Sequence, residues 1–185
     1  MPNWCYNRVE INGTEDNIKT FVDLVKNDGI PKIPFDFEKI MPTPSVLLGI
    51  STGAVNIDGK KAVKWKEHED GNLESISEEN SEKLTKLHGS DNWYDWRMRN
   101  WGVKWNVSEC RWEQLSSNTI RYEFDTPWGP PHGIVGRLYQ LFPEKELGMT
   151  WFYDEPGMEV AGYLNRGDFE LIKETPNVEV KNELK

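Results

Sequence analysis

Residues 118–126, NTIRYEFDT, alternate strictly: Ile120, Tyr122, Phe124 and Thr126 against Thr119, Arg121, Glu123 and Asp125. Successive side chains of a strand point to opposite faces, so this run demands a sheet with one dry and one wet side. Antiparallel sheets are the ones that leave a face to water. The chain has 185 residues, enough to bury a core behind such a sheet without disulfide staples.

The flanking patterns extend the same design. WCYNRVEING (4–13) sets Cys5, Val9 and Ile11 against Trp4, Tyr6, Arg8 and Glu10, and Asn12-Gly13 marks its turn. Thr14 is a suitable N-cap for a helix over 15–28, with Ile18, Phe21, Val22 and Val25 on one face and Gly29 past its end. Four prolines between 31 and 44 exclude a central strand and predict an extended connector, pinned to the core by Phe35, Phe37 and Ile40. A short helix is expected over 92–101, capped by Ser90 or Asp91 and ended by Gly102. Strand alternation then resumes at Val103, Trp105 and Val107, and the pattern drift near Cys110 suggests a bulge or a change of facing. Ile134, Val135, Leu138, Leu141 and Phe142 mark a second amphipathic helix, and strands follow in MTWFYDE, MEVAGYL and FELIK.

That order is βαββαβ once the segment at 45–90 is set aside. It predicts an α+β, ferredoxin-like (split βαβ) domain over 1–173. Two helices lie on one face of an antiparallel sheet, with extra strands at the C-terminus and a polar tail at 174–185. The segment at 45–90 reads as a polar, acidic insertion. Seven acids and no Lys or Arg fall between Glu67 and Glu82, so that run holds −7 of the chain's net −9 and the remainder is nearly neutral. Nucleic-acid binding is disfavoured on that balance.

Two cysteines, Cys5 and Cys110, are expected as free thiols. No metal-ligand spacing, phosphate-binding glycine loop or nucleophile motif is present, so no cofactor, metal site or catalytic residue is assigned. No apolar run reaches the length of a membrane span and no signal core opens the chain, from which a cytoplasmic protein is expected.

DNWYDWRMRNWGVKWNV (91–107) concentrates four tryptophans with three basic residues. Core and rim packing accounts for most of them. The remainder suggests a ligand face where this segment meets PWGPPH (127–132), built from Arg97, Arg99, Trp101, Lys104, Trp105, Trp128 and His132. Arginine stacks on indole and grips carboxylate or phosphate with its planar fork, so a flat anion would suit such a face.

Five pieces, MPNWCYN (1–7), FDFEKIMPTP (35–44), NWGVKWN (100–106), FDTPWGPP (124–131) and YDEPGMEVAGY (153–163), resemble the YubB-like family. The family comprises phage, prophage and plasmid proteins with a ferredoxin-like domain and no settled function. The sequence departs from the family pattern at Val103, where threonine is usual, and at Gly129, where serine is typical. The resemblance implies a mobile-element accessory protein and supplies no catalytic residues.

The first expectation is therefore a non-enzymatic protein that binds a host protein or a small, nucleotide-like anion, such as a defence signal that it sequesters. A hydrolase or transferase using His132 with Asp125 or Asp154 is the alternative, and mimicry of DNA by the acidic run is a third. A homo-oligomer is left open.

Overall fold

The computed structural model describes residues 3–169. The expected strand at 169–173 falls outside it beyond Phe169, which closes a 3₁₀ turn at Arg166–Asp168, and the tail at 174–185 lies wholly outside.

The chain folds as an α+β protein with two sheets. Its main sheet comprises β1 (Trp4–Gly13), β5 (Ser108–Ser116), β6 (Thr119–Pro127), β7 (Leu147–Glu155) and β8 (Val160–Leu164), in the order β5-β6-β1-β7-β8 with every neighbour antiparallel. Helix α1 (Glu15–Val25) follows β1 and α5 (His132–Leu141) joins β6 to β7. Each helix thus carries the chain past one intervening strand, β6 for the first crossover and β1 for the second. This is the ferredoxin-like arrangement with β8 added at one edge.

Alternation divides the sheet as the sequence predicts. Val9, Ile11, Ile120, Tyr122, Phe124 and Trp151 are buried beneath the helices, against Phe21, Val25, Ile134, Val135 and Leu138. Tyr6, Arg8, Glu10, Arg121, Glu123 and Asp125 take the other face. The bulge near Cys110 is present: register slips between Ser108 and Arg111, and Glu109 has φ 50°. Cys5 is buried, Cys110 partly so, and both are free thiols.

Helix α1 stops three residues short of the expected 28. Asn27 pairs with Ile33 instead, and the Val25 carbonyl accepts the Asp36 N–H at 2.7 Å. The proline connector contains a one-turn helix, α2 (Phe37–Ile40), whose Asp36 cap accepts from the Glu38 N–H; Phe35, Phe37 and Ile40 are buried as predicted.

The segment at 45–90 forms the second sheet, β2 (Ile50–Ile57), β3 (Lys60–Glu67) and β4 (Leu73–Ser75), followed by α3 (Glu78–His88). Helix α3 is capped by Ser77 and by Gly89 at φ 76°, a backbone region where a side chain is strained. Asp91 accepts hydrogen bonds from Lys64 of β3, Ser81 of α3 and Asn92, tying hairpin and helix to the turn at 91–92. The acidic run spreads along the ends of β3 and β4 and the start of α3 rather than forming one block.

Helix α4 (Trp93–Asn100) is capped by Asn92, one residue beyond the expected caps. Residues 103–105 form bends and 106–107 carry no regular structure where strand alternation was expected. Gly102 takes φ 88°, and the Asn106 side chain accepts the N–H groups of Phe37 and Val107, so the backbone there bonds to side chains instead of to a strand.

Candidate functional site

Helix α4 turns its aromatic faces inward unequally. Trp101 is fully buried, edge-on to Phe37 and Trp96, with its indole N–H donating to the Met41 carbonyl at 2.8 Å. Trp96 is buried as well. Neither can touch a ligand.

Arg97 is spent in the same place. Its guanidinium lies over the Trp101 ring at 4.5 Å and the Trp93 ring at 5.1 Å. It pairs with Glu38 at 2.6 Å, donates to the Thr43 hydroxyl at 3.0 Å and reaches the Lys104 carbonyl at 3.4 Å. Glu38 in turn accepts the Thr43 N–H and hydroxyl. Arg97 is a clamp between α4 and the proline connector. Arg99 is exposed but donates to the Gly89 carbonyl, at the end of α3. The structure does not bring the two guanidinium groups to the expected ligand face.

What it does bring together is a corner of three exposed indoles. Lys104 Nζ sits 3.8 Å from the Trp105 ring centroid and 4.2 Å from that of Trp128. The Trp4 ring stands 6.2 Å from that of Trp105, and the Trp128 backbone N–H donates to the Asn3 carbonyl at 2.8 Å, binding the loop after β6 to the start of β1. Trp4, Trp105 and Trp128 are 41%, 40% and 43% exposed. Lys104 makes no ion pair among the described residues. Trp128 holds φ 67°, unusual for a bulky residue, and that turn presents its ring outward.

His132 opens α5 with its backbone against Gly102 and its ring 6.4 Å from that of Phe169. Burial lowers its pKa, and Asp168 pulls the other way. The carboxylates weighed as its partners are elsewhere. Asp125 and Asp154 flank Tyr6 on the open sheet face, across the sheet from α5. The constellation for a His–Asp general base is therefore not assembled from them. No cluster of three metal-ligating side chains occurs among the described residues.

Trp4 was not among the residues expected at the ligand face. Its phase in β1 was legible, because Trp4 alternates with Tyr6 and Arg8 on the wet face; its meeting with Trp105 was not. Most conspicuous polar residues of the five family-like pieces turn out to stitch the fold. Asp36 accepts from Asn27 and Asn106, Asn7 donates to Thr126 and accepts from Trp151, and Thr126 donates to the Gly129 carbonyl. Val103 is buried, whereas a side chain at Gly129 would meet open space.

No family model and no curated protein matches the sequence. The crystal structure of a protein api92 from Yersinia pseudotuberculosis, of the family DUF1281, is similar at TM-score 0.51 and 15% identity, covering 91% of this chain and 96% of that one. That likeness establishes the fold.

Proposed function

We propose that this is a non-enzymatic accessory protein of a phage or other mobile element that acts by binding a host protein through the Trp4–Trp105–Trp128 corner. The observation that carries the reading is the convergence of two exposed indoles, Trp105 and Trp128, on one lysine, with a third exposed indole from another segment, Trp4, beside Trp105. Tryptophan dominates binding hot spots because it buries a large rigid area at low entropic cost. Three indoles each about two-fifths exposed offer a broad apolar contact area, which favours a protein partner over a small anion. With Arg97 and Arg99 engaged elsewhere, a small anion would also find one cation where the sequence promised three. The mobile-element setting rests on the resemblance of the five sequence pieces.

The test is capture from host lysate with quantitative mass spectrometry, using the wild type, Trp105→Ala, Trp128→Ala and, as a control elsewhere on the sheet, Trp112→Ala. A partner lost with either corner variant and kept with Trp112→Ala supports the reading. A partner kept by all variants, or a nucleotide bound stoichiometrically in its place, overturns it.

A further inference from the structure

The corner's own lysine indicates what the partner presents. We propose that Lys104 is a resident stand-in, and that the corner with its adjoining sheet face receives a basic segment of the partner, one of whose cationic side chains replaces Lys104 between the indoles. This rests on the protein-binding reading above and specifies its chemistry.

Two independent observations favour a cation. An ammonium group already sits against two indole faces at 3.8 and 4.2 Å, the geometry in which a ring quadrupole attracts positive charge. The second lies one row along the sheet. Side chains two apart on a strand share a face, so Trp4 is followed on the open side by Tyr6, which Asp125 and Asp154 flank on the neighbouring strands. Beside them is a hollow of about 170 Å³ lined by Tyr6, Glu109, Arg111, Glu123, Phe124 and Asp125. Asp125, Asp154 and Glu109 make no ion pair among the described residues, in spite of Arg111 lining the same hollow. Burial raises the pKa of Asp125, and the charge of Glu109 raises it further. An incoming guanidinium or ammonium would relieve that repulsion, while an acidic segment would add to it.

The sign of one substitution separates this from an anion-binding corner. Full-length protein is titrated by tryptophan fluorescence with hexa-arginine and, separately, hexaglutamate, with thermal unfolding confirming that each variant is folded. Lys104→Met keeps the aliphatic reach and removes the competing charge, and binding of hexa-arginine is expected to tighten several-fold. Asp125→Asn combined with Asp154→Asn is expected to weaken it several-fold. Neutralising Glu78, Glu79 and Glu82 on α3 to glutamine is expected to change it less than two-fold. Weaker hexa-arginine binding by Lys104→Met, preference for hexaglutamate, or no binding by either protein overturns the proposal. So does an equal loss from the α3 substitutions, which would mean only a polyelectrolyte effect. If a host partner is still captured through Trp105 while hexa-arginine fails, the binding reading stands and the basic-segment inference alone falls.

Discussion

Replacing Arg97 with alanine separates a clamp from a ligand contact. The substitution removes an ion pair to Glu38 at 2.6 Å, a hydrogen bond to Thr43 at 3.0 Å and a guanidinium stacked on Trp101 and Trp93. The Arg97 side chain is 17% exposed and that of Glu38 33% exposed, so the pair is mostly but not wholly dry. A charge-assisted hydrogen bond contributes about 1.5–3 kcal/mol, and solvent at Glu38 holds it to the lower half of that range. The stacked contacts add roughly 0.5–2 kcal/mol. The expected loss is about 3 kcal/mol, which at about 2–4 °C per kcal/mol for a chain of this size lowers Tm by roughly 6–12 °C. Urea denaturation of the wild type, Arg97→Ala, Glu38→Gln and the double variant closes a cycle, with a coupling energy of about 1–2 kcal/mol expected. If Arg97→Ala shifts Tm by about 1 °C or less and the cycle shows no coupling, the side chain is not a clamp. Its role as a ligand contact would then return.

Gly133→Ala should destabilise more than an exposed helix-start substitution normally does. The added methyl would collide with the Asn100 carbonyl, forcing α4 and α5 apart at a cost of about 3 kcal/mol by urea titration; a neutral result would refute the close approach. Burial pushes the thiols of Cys5 and Cys110 up to about 12, so neither is expected to react with iodoacetamide at pH 8 until the protein is unfolded. Rapid alkylation of native protein, read by mass spectrometry, would contradict that. His132 has a folded pKa below its ordinary value, so the unfolded chain takes up its proton first as pH falls. Its contribution to stability is complete above about pH 6.5 and diminishes below, where a pH series of Tm should be flatter for His132→Gln than for the wild type. An unchanged slope would remove His132 as the cause.

The strands were legible because alternation is a local consequence of pleating. Ile120, Tyr122 and Phe124 announce a dry face wherever the sheet sits in space, and βαββαβ order then leaves few topologies. The same logic gave α5 its buried stripe and placed Trp4, Tyr6 and Arg8 on the wet side. Errors fell where backbone groups found long-range partners. Helix α1 ended early because Asp36 takes the Val25 carbonyl, and 103–107 left the strand because Asn106 bonds to Phe37, 69 residues away.

The candidate site divides along the same line. Composition showed that tryptophan and basic residues were concentrated at 91–107, and the corner of Trp105, Trp128 and Lys104 formed within the set the sequence proposed. Which cation met the exposed rings was decided elsewhere. Glu38 and Thr43, more than fifty residues before Arg97, claimed its guanidinium, and Gly89 took Arg99, leaving Lys104 alone between two rings. Period and capping act over a few residues and can be read from the chain itself. The pairing of charges and the meeting of indoles depend on distances that only the packed core creates.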